Sequence, residues 1–161
     1  MSNSNFLSPV EFRLVVKRLP ETSFYLQGVN IPGFNSTEIS YPTPLKNVPI
    51  PGTRLSYDDL NMTIIVDEDM KSFQEIGNWL IGLSFPEDTN QYKNLKESED
   101  GLYSDLTVFV MDSNKNANIK VTFKKAFPIS ISGIQLNTAV SDVTHPTFDV
   151  TFKYQSYSIE V

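Results

Sequence analysis

The sequence predicts a mainly β fold, an antiparallel barrel or sandwich of about seven or eight strands with one flanking α-helix and a long β-hairpin loop. Several segments alternate apolar and polar side chains with a period of two, which places successive side chains on opposite faces of a sheet. In one other segment the apolar residues recur every three or four positions, which is typical of an amphipathic helix. The 161 residues fit a single domain, 1–161, that can bury a core of its own.

The strands are predicted from alternation along the chain. Their apolar faces consist of Val10, Phe12, Leu14 and Val16, then Leu60, Met62, Ile64 and Val66, then Ile119, Val121 and Phe123, and finally Phe148, Val150, Phe152 and Tyr154. Shorter strands are predicted at 24–29, 37–41, 106–111 and 129–136. After Tyr154 the apolar phase shifts by one residue, which is the mark of a bulge.

The helix is predicted in "VDEDMKSFQEIGNWLIGLSFPED", because its apolar residues recur every three or four positions. We expect the helix to pack on the barrel through Phe73, Ile76, Trp79 and Leu80. Carboxylates at 67–69 favour its amino terminus, where they can accept from free backbone N–H groups. Gly82 and Pro86 mark its end. The polar segment after it, 87–101, predicts a surface loop.

Prolines crowd the connection "YPTPLKNVPIPGT" between two predicted strands. A hairpin normally closes with two to five turn residues, so a proline-rich tether from Pro42 to Thr53 predicts a further role.

The sequence contains no pattern that predicts catalysis, a metal site or a cofactor. Its single histidine, His145, precedes a proline, and no nucleophile elbow or phosphate-binding glycine loop is present. Adjacent carboxylates such as Asp58 and Asp59 point to opposite faces of a strand. The acidic segment 67–69 lacks the spacing of a calcium loop, so it is interpreted as a helix cap. We therefore expect no enzyme activity.

Composition narrows the classes of partner. The absence of cysteine excludes disulfides and thiolate sites. The formal charge of −6 disfavours tight binding to nucleic acid. No signal peptide and no long apolar run is visible, so we expect neither secretion nor a membrane anchor.

The sequence also resembles the tail tube protein family of contractile-tailed bacteriophages. The resemblance extends from Pro9 to Ile159 and is most specific in "GTRLSYDDLNMTIIVDEDMKSFQEIGNWL". There, Gly52 and Arg54 precede an aromatic-Asp-Asp step, an alternating strand and a helix with Phe and Trp. Further on, an aromatic-Pro step, a short "SGIQL" segment and an aromatic-rich last strand follow the same order.

This resemblance implies a structural protein whose hexameric rings stack into a hollow tube for genome delivery. With such rings implied, we expect the tether from Pro42 to Thr53 to contact an adjacent ring. The expected contact residues are Pro42, Pro44, Leu45, Lys46, Val48, Pro49, Ile50 and Pro51. It implies that the chain's partners are other copies of itself, tail sheath and baseplate proteins, and genomic DNA that passes without specific binding. It also implies a place in the virion tail, after assembly in the host cytoplasm.

Three alternatives stay open at this point. A baseplate protein that initiates the tube and a ring protein of a type VI secretion system would share the fold. A carbohydrate-binding β-sandwich would instead expose Trp or Tyr on a concave face. The single tryptophan lies on the predicted helix, which disfavours that third class.

Overall fold

The computed structural model describes residues 11–19, 26–84, 87–99, 101–111, 116–139 and 144–161. Val10, Phe24 and Pro86, which the sequence assigned to a strand, a strand and a helix end, lie outside these ranges. The strands are β1 Phe12–Val16, β2 Leu26–Asn30, β3 Phe34–Pro42, β4 Asn47–Tyr57, β5 Leu60–Ile65, β6 Ser104–Met111, β7 Ala117–Ile131, β8 Thr147–Lys153 and β9 Ser156–Glu160. The helices are α1 Lys71–Ser84 and α2 Thr89–Glu97.

The strands form two sheets packed as a sandwich, and the long strand β7 belongs to both sheets. In the first sheet, β7 pairs with β6 and β9, and β6 also pairs with β1. In the second sheet, the end of β7 pairs with β8, which continues to β5 and β2. Every pair is antiparallel, so the prediction of a mainly β antiparallel fold is confirmed. Strands β3 and β4 form a separate two-stranded sheet.

The apolar faces of the two sheets enclose the core. The sequence had assigned five large rings to this core: Phe12, Trp79, Phe123, Phe148 and Phe152. Four of them are at most 2% exposed. Phe12 is only half-buried, because it lies at the start of the edge strand β1. Large rings supply much of the buried apolar area, and hence of the stability, of a small domain.

Helix α1 packs against the second sheet and completes the core. Ile76 and Trp79 are buried, whereas Phe73 and Leu80 are half-buried. The Phe73 ring meets Phe148 edge to face at 5.3 Å, and the Trp79 ring lies 6.0 Å from Phe152. The indole Nε1 of Trp79 donates to a backbone carbonyl, Leu102 O, at 3.0 Å. The tryptophan is therefore fixed by both packing and a hydrogen bond.

Asp67 caps the amino terminus of α1. Its carboxylate accepts from Lys71 N at 3.1 Å, and from the N and Oγ atoms of Ser72 at 3.3 and 3.0 Å. Burial of the carboxylate works against its ionisation, but these hydrogen bonds outweigh it and lower the pKa of Asp67 below 3.8. The carboxylates of residues 67–69 therefore do not all cap the helix, since Asp69 pairs with the side chain of Lys71 at 3.1 Å.

Substituting Asp67 with asparagine is expected to remove a stability contribution that depends on pH. A lowered pKa stabilises the folded state above the unfolded-state value, 3.8, and the contribution disappears as pH falls through the folded-state pKa. Urea unfolding should therefore show Asp67→Asn less stable by about 0.5–1 kcal/mol at neutral pH, because the amide lacks the charge and has one acceptor oxygen where the carboxylate uses two. The two proteins should converge in acid. Asp69→Asn is the control, and a difference that persists unchanged at low pH would contradict the assignment.

Three local predictions differ from the structure. The expected loop at 87–101 contains α2, whose Leu95 packs so tightly on α1 that a Cβ on Gly82 would lie 3.0 Å from it. The separate strand at 129–136 does not form, because β7 runs on to Ile131 and no strand follows it up to residue 139. The bulge expected after Tyr154 is instead a corner between the sheets. There the chain passes from β8 in the second sheet to β9 in the first, and β7 changes partner from β9 to β8 at the same level.

Candidate assembly surfaces

Strands β3 and β4 form a long hairpin, which we call the arm, residues 34–57. The register pairs Pro42 with Asn47, so the turn is confined to residues 43–46. The tether expected from Pro42 to Thr53 is therefore mostly strand, and that boundary was wrong. Pro44, Leu45 and Lys46 lie in the turn, whereas Val48, Pro49, Ile50 and Pro51 lie in β4. Prolines are tolerated in the arm because both of its strands are edge strands.

One face of the arm is apolar and uncovered. Ile39 lies directly opposite Ile50, and Tyr41 lies opposite Val48. The side chains of Ile39, Tyr41 and Ile50 are 57%, 61% and 42% exposed, and Leu45 at the turn is 97% exposed. We call Ile39, Tyr41, Val48 and Ile50 the apolar face. Contiguous exposed apolar surface of this kind marks a site of interaction with another protein.

An aromatic cluster fixes the base of the arm to the sandwich. Tyr57 of the arm lies 5.7 Å from Tyr154 and 5.6 Å from Tyr157, and Phe34 lies 6.2 Å from Tyr157. Tyr154 donates its hydroxyl to Asp58 O at 2.8 Å. Burial, together with the nearby Tyr157 and Asp58, raises the pKa of Tyr154 to about 12. The hydroxyl therefore stays a donor across the working pH range, and the arm projects from a fixed base.

A bulge in the middle of the arm depends on Gly52. The register shifts between Ser36 and Glu38, and Gly52 faces Thr37 at this point. A Cβ on Gly52 would lie 2.8 Å from the carbonyl carbon of Thr37 and closer still to its oxygen. Only glycine allows the two backbones to approach this closely. The bulge therefore divides the arm into a base, held by the aromatic cluster, and a tip that carries the apolar face.

The outer faces of the two sheets differ in charge. The first sheet carries Arg13, Lys120 and Lys124 against Asp105 and Glu160, and Lys120 pairs with Glu160 at 3.2 Å. On the second sheet, small polar groups bond to each other: Thr63 donates to Asp149 at 2.7 Å and Thr151 donates to Asn61 at 3.0 Å. Lys153 of that face pairs with Asp59 at 3.0 Å. The second sheet therefore presents a polar surface on which this lysine is neutralised.

The residues considered for catalysis or metal binding do not converge on a site. A shallow cavity of about 520 Å³ is lined by carboxylates 67–69 and His145, but Asp67 is already committed to the helix cap. Asp58 receives a hydrogen bond from Asn35, and Asp59 pairs with a lysine. Among the residues that the structure describes, no three His, Asp or Glu side chains cluster as a metal site. Nor does a helix in these ranges have the length and apolarity to cross a membrane.

Residues 17–160 match the family model described as "Phage tail tube protein". The chain belongs to the phage tail tube protein family. The resemblance seen in the sequence is thereby confirmed, and the chain is a structural subunit of a tail tube and a component of the virion tail. No curated protein sequence matches it significantly.

Solved structures of tube-like proteins share the fold of this tail tube protein at low identity. One is from a "PVC sheath-tube complex in extended state" of an extracellular contractile injection system, with TM-score 0.64, 12% identity, 98% of this chain and 93% of that chain covered. Another is from the "anti-feeding prophage (AFP) baseplate", with TM-score 0.61, 9% identity and coverage of 98% and 97%. A "type six secretion system protein" matches with TM-score 0.53, 10% identity and coverage of 93% and 82%.

These likenesses show that the baseplate and type VI alternatives have the same fold as a tail tube protein, as the sequence had suggested. They do not favour the carbohydrate-binding alternative. The position of the arm was predicted from the sequence, but its aromatic anchor of Phe34, Tyr57, Tyr154 and Tyr157 was not. Only the register of β3 with β4 and the corner between β8 and β9 bring these four rings together.

Proposed function

We propose that this tail tube protein assembles into hexameric rings that stack into the hollow tube of a contractile tail, and that the arm contacts the neighbouring ring. The observation that carries the contact is the uncovered apolar face at the tip of a projecting hairpin. A tube needs a heterologous contact, in which one surface of a subunit meets a different surface of the next. The arm supplies a protruding surface of the required kind, and its docking would remove exposed apolar area from water.

The tube conducts genomic DNA without binding it specifically. Six chains of charge −6 would carry about −36 in each ring, which disfavours adhesion of phosphate. The outer face of the second sheet is suited to line the channel, because its Lys153 is paired with Asp59. The outer face of the first sheet is less suited, because Arg13 and Lys124 lie on it in addition to Lys120, which pairs with Glu160. The protein acts by assembly and not by catalysis.

Tail sheath and baseplate proteins are the further partners in this proposal, and assembly takes place in the host cytoplasm. The support for these partners is the shared fold with subunits of a sheath-tube complex and of a baseplate. The same fold in a type six secretion system protein makes a secretion ring the second candidate. The family match over residues 17–160 favours the phage tail over it.

Negative-stain electron microscopy of the purified chain, read together with its sedimentation, tests the proposed function. We expect six-fold rings with a central channel and, at higher concentration, stacked tubes. A variant in which a two-residue turn replaces residues 44–51 should stay folded and form no long tubes, since it lacks the tip of the arm. A protein that stays monomeric at all concentrations would contradict the assembly. Unchanged tube length in the shortened variant would contradict the role of the arm.

A further inference from the structure

The prolines of the arm occupy one kind of position in its ladder. Antiparallel ladders alternate hydrogen-bonded pairs with pairs that share no hydrogen bond. Thr43 N donates to Lys46 O at 3.0 Å at the turn, which sets the alternation. The next pairs without hydrogen bonds are Pro42–Asn47, Ser40–Pro49 and Glu38–Pro51. At these positions an N–H group would point away from the partner strand. Because proline has no N–H, each proline removes an outward donor and breaks no hydrogen bond between β3 and β4.

The two outer edges of the arm consequently differ. On the β4 edge, Pro49 and Pro51 remove two successive outward donors. On the β3 edge, the opposing residues Ser40 and Glu38 direct their N–H groups outward. At the tip of the arm, a strand that pairs with β4 would find no donor at residues 49 and 51, whereas one that pairs with β3 would find donors at the opposing residues Glu38 and Ser40.

The outward N–H groups of β3 continue from the tip of the arm to its base. Asp58 N donates to Gly33 O at 3.0 Å, so the alternation counted from this end points the N–H groups of Phe34 and Ser36 outward as well. In the parts of the chain described, β3 pairs with β4 alone. All nine residues of β3 are exposed. An exposed edge of this length is a template for another strand.

We propose that the outer edge of β3, Phe34–Ser40, pairs with an edge strand of a second copy of this chain; the proposal rests on the tube assembly above. The partner is a strand because only a strand supplies alternating acceptors at the right spacing. A second copy is able to provide it, since β1, β2 and β9 each have one partner strand among the described residues. Charge favours β1, whose exposed Arg13 can lie opposite Glu38.

The arm thus recognises its neighbour by backbone as well as by its apolar face. Edge pairing orients the strand, and the side chains of Ile39 and Tyr41 then cover the surface beside it. Pro49 and Pro51 disfavour strand addition on the β4 edge of the tip, so pairing at the tip is directed to the β3 edge.

A comparison of proline with alanine at Ser40 tests the edge directly. Ser40→Ala keeps the outward N–H, whereas Ser40→Pro removes it without breaking a bond inside the arm. We expect Ser40→Pro to fold as the parent does, by circular dichroism, and to lose the tubes that pellet on ultracentrifugation. Ser40→Ala should form tubes as the parent does. Glu38→Pro against Glu38→Ala repeats the comparison at the next outward N–H, and Leu55→Pro places a proline on the β4 edge as the control.

The outcomes separate this inference from the proposed function. A parent protein that forms no rings or tubes would overturn the proposed function, and the edge pairing with it. A parent that forms tubes, with Ser40→Pro and Glu38→Pro forming them equally well, would overturn the edge pairing alone. Loss of tubes in both proline variants, with tubes retained in both alanine variants and in Leu55→Pro, supports it.

Discussion

Replacing Trp79 with alanine is expected to lower the free energy of unfolding by about 3–5 kcal/mol. Trp79 is 2% exposed and packs against Phe152, with the ring centroids 6.0 Å apart. The substitution leaves a cavity between α1 and the second sheet. It also leaves Leu102 O without its indole donor and removes the ring under the Arg18 guanidinium, whose Cζ lies 4.8 Å from the ring centroid.

Urea unfolding followed by circular dichroism measures this loss, since the variant has no tryptophan left to report by fluorescence. Trp79→Phe should lose less, about 1–2 kcal/mol, because a six-membered ring stays buried while the hydrogen bond and part of the indole packing are lost. Ile81→Ala is the matched control, because Ile81 lies on the same helix with 46% of its surface exposed. If Trp79→Ala were as stable as Ile81→Ala, helix α1 would have to pack in another way.

Introducing aspartate at both Ile39 and Ile50 is expected to abolish the stacking of rings into tubes while leaving the subunit folded. The two residues lie opposite each other on the apolar face of the arm. In the isolated chain both side chains contact water, so the substitutions should change the melting temperature by only about 2 °C. In a docked arm the two carboxylates would be buried without partners, which costs several kcal/mol at each site.

The control places a charge on the opposite face of the arm. Asn47→Asp adds a carboxylate there but leaves the apolar face and the edge Phe34–Ser40 intact. Sedimentation velocity should show no tubes for the apolar-face variant and tubes for the control. Assembly of both variants to the same extent would mean that the apolar face stays in solvent.

The strands and the helix that were predicted from the sequence are those with one buried face and one exposed face. Strands β5 and β8 alternate cleanly because Leu60, Met62 and Ile64 face the core opposite Phe152, Val150 and Phe148. Helix α1 was predicted from its apolar stripe for the same reason. Helix α2 was missed, because Leu95 is the one strongly apolar residue that it turns toward α1.

The arm was predicted in position but not in structure. Its two faces are both exposed in the isolated chain, so burial imposes no period of two on its sequence. Pro49 and Pro51 indicate a loop when only the low strand propensity of proline is considered. They fit a strand only after the register has placed them in pairs without hydrogen bonds, and register is set by residues across the ladder.

A cryo-electron microscopy reconstruction of the assembled particle tests whether the arm joins one ring to the next. We expect a hollow tube of stacked rings in which the arm, residues 34–57, lies against a copy in the neighbouring ring, with Ile39 and Ile50 buried in the contact. A particle without a channel, or a tube in which the arm projects into solvent, would contradict the proposed assembly.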